Sequence, residues 1–308
     1  MVRVVGLDIG SGYTKAYDGF QMVIFPSIYA YRQPGLWDEN GIIEGVGQKA
    51  LEIAQHPDAI ALYPVVDGKP QHSAYAKLMQ EACRRLHISF FKDICLVTGL
   101  PFDSGKEDRD SLKALLKSHF NLPEISIYPQ AVGTLFDLDA KNGVILNIGH
   151  GTSEIAAIEQ LSLLAGMSDP LASDYILNAL SNSIQTRYGF KPNTKTLVDL
   201  ISGKVRAIDG FSKASVRVRR HDIDDILQST VKHLVDKISY DARALLARLP
   251  PGLACSTEII VSGGGSMIHG VPELLERELK CHITQPTDPI FSNVLGFYKM
   301  GLRLHANS

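Results

Sequence analysis

Cysteine is scarce in this sequence, and the cysteines present follow no cross-linking or metal-binding pattern. The 308 residues include four, Cys83, Cys95, Cys255 and Cys281, and no two of them form a C-x-x-C pair. This spacing excludes a small disulfide-stapled scaffold and implies no structural metal site. Well-separated single cysteines are typical of buried thiols in a reducing cytosol.

Long hydrophobic runs and an excess of one charge are also missing. No stretch approaches the length of about 18 apolar residues needed to span a bilayer, and the N-terminal Met-Val-Arg-Val-Val-Gly-Leu-Asp lacks the apolar core of a signal peptide. With 31 basic and 33 acidic side chains the formal net charge is -2, so nothing draws the whole chain to nucleic acid or anionic membrane. We therefore expect a cytoplasmic protein with no membrane partner and no direct nucleic-acid partner.

What is present is the composition of an ordinary globular protein. Hydrophobic residues make up 45% of the chain and charged residues 21%, which excludes disorder and collagen. At roughly 100 to 200 residues per domain, the length predicts about two domains, each large enough for its own apolar core.

One motif occurs twice, about half the chain apart. Residues 2–9 have the pattern of a strand that ends in Asp8-Ile9-Gly10-Ser11-Gly12, and residues 144–148 that of a strand ending in Asn147-Ile148-Gly149-His150-Gly151. Each copy predicts a strand, a glycine turn and a returning strand, whose tip exposes backbone N–H groups. A single copy would more simply be a tight hairpin. Two such tips facing each other would clamp a polyphosphate, so the pair favours phosphate binding.

Helical and strand patterns alternate through the rest of the chain. We predict helices over residues 72–86, 108–120, 171–188, 222–249, 271–279 and 293–305, and strands over 93–98, 125–128 and 258–261. This alternation indicates an α/β protein in two halves.

Polar side chains beside the glycine turns suit a metal–phosphate ligand. Asp8 ends its strand, where a carboxylate can hold hydrated Mg²⁺. Lys15 on the returning strand could reach phosphate oxygens, or could instead lie on a solvated face, and Ser11 offers a hydroxyl. A third glycine element at residues 259–266 would let a ring or ribose approach, although a plain loop is the simpler explanation. Neither a G-x-G-x-x-G fingerprint nor a P-loop occurs.

Five motifs in this order resemble the actin-like ATPases, which share their core with sugar kinases and heat-shock ATPases. They are D-I-G-S-G-Y-T-K from Asp8, P-Q-A-V-G from Pro129, N-I-G-H-G-T from Asn147, V-S-G-G-G-S from Val261 and N-V-L-G-F from Asn293. With Thr98-Gly99-Leu100-Pro101, they look most similar to ParM-type plasmid-segregation actins and their archaeal relatives.

The resemblance implies duplicated ribonuclease H-like domains of the actin/hexokinase type, with a nucleotide cleft between them. Domain I would span residues 1–143, with a small subdomain at about 25–85, and domain II residues 144–308. A C-terminal helix at about 293–306 would pack back on domain I.

The resemblance also implies residue roles for an ATPase that binds ATP or ADP, with GTP possible, and Mg²⁺. Asp8, Gln130 and Asn147 would be catalytic, with Asp8 holding Mg²⁺ through water and Gln130 orienting the attacking water. Gln130 could instead be only a polar residue that opens a helix. Nucleotide contacts would come from Gly10, Ser11, Gly12, Tyr13, Lys15, Gly149, His150, Gly151, Thr152, Gly263, Gly264, Gly265 and Met267.

Two positions in the second glycine turn depart from the pattern of these ATPases. Asn147 stands where an acid is usual, and His150 stands where a small or acidic residue is commoner. An amide in place of a carboxylate removes a negative charge beside Mg²⁺ and the attacking water. We therefore expect nucleotide binding to survive and hydrolysis to be slow.

The function implied is a nucleotide-driven, head-to-tail filament that segregates plasmid DNA through an adaptor protein. The predicted contact segments are residues 33–47, with Trp37, and the basic stretch 204–220, with Lys213, Arg217, Arg219 and Arg220. Trp37 could instead pack internally, and the arginines could form a solvated face. Direct DNA binding is disfavoured because acidic residues follow the basic stretch. The alternatives are a monomeric small-molecule kinase on the same core, or a cell-shape or organelle-positioning actin.

Overall fold

Two five-stranded sheets of the same topology form the body of the molecule. We describe a computed structural model that covers residues 3–33, 41–66, 69–88, 94–211, 215–250 and 258–306. The first sheet has the order β10-β9-β1-β2-β3. Its strands are β1 (Arg3–Ile9), β2 (Tyr13–Tyr17), β3 (Met22–Pro26), β9 (Ile94–Leu100) and β10 (Glu124–Pro129).

The second sheet repeats this arrangement with the order β13-β12-β11-β16-β17. In both sheets the first three strands along the chain are antiparallel neighbours, and two further strands add in parallel. The predicted duplicated α/β fold is therefore confirmed. The strands of the second sheet are β11 (Gly143–Ile148), β12 (Ser153–Glu159), β13 (Ser162–Asp169), β16 (Ile259–Ser262) and β17 (Ile283–Thr284).

Helices cover the outer face of each sheet and bury its apolar side chains. Beside the first sheet, α2 (His72–Arg85) and α3 (Lys106–Phe120) bury residues such as Leu78 and Leu112 against Leu7 and Leu96. The second sheet is covered by α5 (Ser173–Tyr188), α6 (Thr194–Ile201), α7 (Asp224–Leu246) and α8 (Val271–Leu279).

Two further helices, α4 (Gln130–Asp137) and α9 (Ser292–Ala306), lie between the sheets. Phe297 of α9 is fully buried there with Val97 of the first sheet and Ile145 of the second. The helices cross at glycines: a Cβ on Gly296 would lie 1.7 Å from the Gly133 carbonyl oxygen. The chain's last helix therefore packs on both α4 and β1.

A small sheet stands beside the first large one. It comprises β4 (Tyr29–Arg32), β5 (Ile43–Val46) and β6 (Ile60–Leu62), and with α1 (Gln48–Ile53) it has a separate small core around Ile28, Ala30, Ala50 and Ile53. Two short strands, β7 (Val65–Val66) and β8 (Lys69–Pro70), follow it. The boundaries at 25–85 and 143 stay predictions.

The predicted helices are observed with shifted ends. Helix α3 begins at Lys106, two residues before the predicted start, because the Asp108 carboxylate accepts the Gly105 N–H at 2.9 Å and caps the helix there. The helix predicted over 222–249 begins instead with a 3-10 turn at Arg220–Ile223, and α7 ends at Leu246. No helix in the described ranges is long and apolar enough to cross a bilayer.

The basic stretch is part of a hairpin, β14 (Ala207–Phe211) with β15 (Ser215–Arg219). Arg217 pairs with Asp209 at 2.8 Å and Arg220 with Asp224 at 2.9 Å. These arginines are therefore partly neutralised by local acids. Lys213 and Trp37 lie outside the described residues.

The glycine crossing predicts a specific stability loss. We expect Gly296→Ala to lower the free energy of unfolding by about 1–3 kcal/mol, because a methyl group there overlaps the Gly133 backbone. Urea denaturation followed by circular dichroism measures it. Gly41→Ala is the matched control, since nothing lies within 4 Å of a Cβ at that position. Equal unfolding free energies for the two variants would contradict the close packing.

Candidate functional site

The two repeated motifs form turns with the same internal hydrogen bond. In the first, the Gly10 N–H donates to the Tyr13 carbonyl at 3.2 Å, and in the second the Gly149 N–H donates to the Thr152 carbonyl at 2.9 Å. Each turn connects antiparallel strands, β1 to β2 and β11 to β12. The sequence repeat is therefore a repeat of backbone geometry.

The tips of the two turns touch each other. The Gly151 N–H donates to the Ser11 hydroxyl at 3.1 Å. The His150 ring packs on Gly12 so closely that a Cβ there would lie 2.4 Å from it, and its edge meets the Tyr13 ring at 6.2 Å between centroids. Backbone N–H groups from both halves thus converge on one small volume, which is the arrangement that cradles phosphate.

Burial of the His150 ring lowers the pKa of its imidazole, and the nearby Asp174 carboxylate opposes this only in part. The ring is therefore neutral at pH 7 and brings no positive charge to the two turns. Any attraction for phosphate must come from the backbone N–H groups and Lys15.

Asp8 is the centre of a buried polar group at the end of β1. It is 3% exposed. Its Oδ2 accepts Lys15 Nζ at 2.9 Å, and its Oδ1 accepts the Gln130 side-chain amide at 3.2 Å. The register of β1 and β2 places Lys15 opposite Asp8, so Lys15 is directed into the site rather than towards solvent. Gln130 arrives because Pro129 ends β10 and α4 begins at the next residue.

Asn147 occupies the corresponding place at the end of β11. It is 8% exposed, and its side-chain carbonyl accepts the Ser262 hydroxyl at 3.4 Å. Gly263 follows with φ +84°, and a Cβ there would lie 2.6 Å from Asn147 Oδ1. Only glycine fits this turn without strain.

The third glycine element lies beside Asn147 and opens outward. Gly264 has nothing within 4 Å of the point that a Cβ would occupy, whereas Gly265 packs on Ile148. Met267, at the end of this 3-10 turn, is 59% exposed. The space beside Gly264 is therefore open on the outer side of this element.

One charged residue in the site was missed from the sequence. Glu154 of β12 is 2% exposed, and neither carboxylate oxygen has a hydrogen-bond partner among the described residues. Burial raises the pKa of Glu154 to about 8, with the Asp8 and Asp103 carboxylates adding to the shift. The Phe102 backbone amide lowers it slightly without reaching regular hydrogen-bond geometry. The sequence did contain a signal for this residue. Glu154 is a single acid between Ser153 and the apolar run Ile155-Ala156-Ala157-Ile158.

The donors at this site are oxygen atoms, which suit Mg²⁺ rather than a softer metal. Asp8 supplies a carboxylate and Asn147 an amide oxygen. A second possible metal-binding group, Cys95 with Glu124 and His305, has its ligand atoms within 4.8 Å of one another. It lies at the opposite end of the parallel strands, where Cys95 pairs with Val4 and not with Asp8, so it is separate from the glycine turns.

Comparison with known proteins places this geometry in a class. Residues 6–133 match the family model "Actin like proteins N terminal domain", and residues 196–307 match "MreB/Mbl protein". The structure is similar to MreB5 of Spiroplasma citri bound to AMPPNP, with a TM-score of 0.81 and 20% identity over 100% of this chain and 98% of that one. It is also similar to MamK in a double helical filament, with a TM-score of 0.80 and 18% identity over 98% of each chain. The chain has the two-domain actin-like fold.

Curated relatives give the same result at the level of sequence. The chain is 22% identical to the cell shape-determining protein Mbl of Bacillus subtilis over 96% of this chain and 94% of that protein. It is 21% identical to the cell shape-determining protein MreB of Escherichia coli over 93% and 89%. These matches support a place in the actin-like superfamily beside MreB and Mbl. They do not support the ParM-type assignment made from the sequence motifs.

The raised pKa of Glu154 predicts a pH-dependent stability. Between the ordinary glutamate pKa near 4.5 and the folded value of about 8, the folded state holds a proton that the unfolded state has lost. Stability therefore falls as pH rises through this window, by at most about 1.4 kcal/mol per pH unit. Glu154→Gln removes the titration, so its stability relative to the parent protein should increase from pH 5 to pH 8.

Thermal or urea unfolding across this pH range measures the effect. Glu159→Gln is the control, because Glu159 is exposed at the other end of the same strand. A stability difference between Glu154→Gln and the parent protein that stays constant with pH would mean that Glu154 is not held as a buried acid.

Proposed function

We propose that this protein binds ATP and ADP with Mg²⁺ between its two glycine turns, hydrolyses ATP slowly, and assembles into head-to-tail filaments. The observation that carries the proposal is the meeting of two equivalent turns beside the buried group formed by Asp8, Lys15 and Gln130. Backbone N–H groups from both halves would hold the phosphates, and Lys15 would add charge. Bound Mg²⁺ would neutralise phosphate charge, with Asp8 holding one of its water ligands.

Within such a site the chain's own residues have separable tasks. Gln130 donates one amide hydrogen to Asp8 Oδ1, which fixes its side chain and leaves its carbonyl free to orient a water. Ser11 now accepts a hydrogen bond from Gly151, and a phosphate would replace that direct contact. The separation of the two turns would therefore differ between the nucleotide-free and the nucleotide-bound protein.

The names of the relatives support a filament and favour one cellular role. MamK is described in a double helical filament, MreB5 was solved bound to AMPPNP and to ADP, and MreB and Mbl are named cell shape-determining proteins. We infer a role in cell shape or intracellular positioning rather than plasmid segregation. In the basic stretch, Arg217 and Arg220 are paired with acids, which weakens their attraction for a polyanion such as DNA.

Polymerisation with nucleotide tests the proposal directly. Light scattering, pelleting and electron microscopy of purified protein with Mg²⁺ and ATP, GTP or AMPPNP should show filaments that require nucleotide. The monomeric kinase alternative predicts no polymer at any protein concentration, together with phosphoryl transfer to a small molecule. That result would contradict the proposed function.

The amide at position 147 predicts a gain of activity. We expect Asn147→Asp to raise the rate of phosphate release, because it restores a negative charge beside the metal and the attacking water. A coupled phosphate assay at equal polymer mass measures it. Asn182→Asp, an exposed change on α5, is the control for added charge. An unchanged or lower rate in Asn147→Asp would show that the missing acid does not limit hydrolysis.

A further inference from the structure

Glu154 poses a problem of electrostatics that the roles assigned so far do not solve. Its carboxylate is buried with both oxygens unpartnered among the described residues. Burying a polar group without a hydrogen bond is unfavourable in proteins. Buried side chains of this kind are uncommon in native structures, and a functional site is one explanation for them.

The position of Glu154 in the sheet directs it to the nucleotide side. In the antiparallel pair β11–β12 it stands directly opposite Asn147, and residues opposite each other in such a pair project from the same face. The next pair on that face, two residues further along each strand, is Ile145 with Ala156, and both belong to the core between the sheets. Glu154 therefore faces domain I beside Asn147, and the Asp8 charge across the cleft acts on it.

A loop of domain I covers Glu154 from the other side. Phe102, just after β9, packs its ring on β13, where a Cβ on Gly166 would lie 2.7 Å from it. The backbone amide of the same residue acts on Glu154. This cover screens the carboxylate from bulk water and strengthens its interaction with a charge formed in the site.

The other polar groups of the site are less suited than Glu154 to take a proton from water. Asp8 is bonded to Lys15 and Gln130. Gln130 and Asn147 carry amides, which hydrogen-bond without accepting a proton. His150 is a possible rival, but its ring is packed on Gly12 within the phosphate turn. Of these groups, Glu154 is the carboxylate whose oxygens have no hydrogen-bond partner among the described residues.

We propose that Glu154 is a catalytic residue for ATP hydrolysis and accepts the proton of the attacking water, supplying the acid that Asn147 lacks. This inference rests on the proposed function. The water oxygen bonds to the γ-phosphorus as the bond from that phosphorus to the β,γ-bridging oxygen breaks, and the electron pair stays on ADP. The water proton moves to the Glu154 carboxylate and is then released with the phosphate, so the residue is regenerated.

The raised pKa of Glu154 agrees with this role, because a carboxylate with a higher pKa is a stronger base. It also agrees with slow turnover, since much of the residue is protonated at pH 7.

The test separates binding from chemistry in one set of variants. We would measure affinity for fluorescent mant-ATP, single-turnover phosphate release and filament mass for the parent protein, Glu154→Gln, Asn147→Asp/Glu154→Gln and the strand control Glu159→Gln. Glu154→Gln should bind mant-ATP within about twofold of the parent and release phosphate about 100-fold more slowly, as expected for loss of a general base. The double variant should release phosphate at least tenfold faster than Glu154→Gln, and Glu159→Gln should release it at the parent rate.

Rescue by the acid at position 147 is the readout that a purely structural role would not give. Phosphate release at the parent rate in Glu154→Gln would overturn the proposal. So would a fall in phosphate release that equals the fall in mant-ATP affinity and is not reversed in the double variant Asn147→Asp/Glu154→Gln. A comparable loss in His150→Gln with none in Glu154→Gln would assign the base to His150. If Glu154→Gln does not fold, Glu154→Asp replaces it in the same measurements. We expect Glu154→Asp to bind mant-ATP normally and to release phosphate more slowly than the parent protein. Phosphate release at the parent rate would contradict the proposal. A parent protein that binds no nucleotide would instead refute the proposed function itself.

Discussion

The glycine crossing of α4 and α9 is the constraint on which the site depends. Because Gly133 and Gly296 allow their backbones to touch, the two helices fit into the single layer between the sheets. That layer sets the spacing of the sheets, and the spacing lets the Ser11 and Gly151 turns meet. Helix α4 also begins with Gln130, so the same packing that joins the halves positions a polar side chain on Asp8.

Charge is distributed unevenly between the two halves of this duplicated site. Asp8 has a cation and an amide as partners, whereas its counterpart Asn147 is neutral and bonded to a serine hydroxyl. The acid on the second side is found instead on the neighbouring strand, at Glu154, which stands across from Asn147. Duplication thus preserved the backbone of the turns, while side-chain substitution made the halves chemically different.

The surface outside the cleft fits self-assembly better than recognition of a polyanion. The net charge is only -2, so identical subunits can stack without strong long-range repulsion. Within the described residues, Arg217 of the 207–219 hairpin and Arg220 of the turn after it face acids at close range. The similarity to MreB, Mbl and MamK does not support the motif-based preference for plasmid-segregation actins.

The sequence by itself determined the duplicated α/β architecture and the two turns, because these depend on local patterns of glycine and strand residues. It placed Asp8 at the end of a strand, but the contacts of Lys15 and Gln130 with Asp8 were decided by the tertiary structure. It did not determine the subfamily, since the motifs that recur across actin-like proteins concern the shared nucleotide cleft. Only the tertiary structure decided that His150 lies on Gly12, that Gly296 meets Gly133, and that Glu154 is buried with no hydrogen-bond partner in the described part of the chain. These depend on contacts between residues more than 100 positions apart or on burial by a distant loop, which no local pattern encodes.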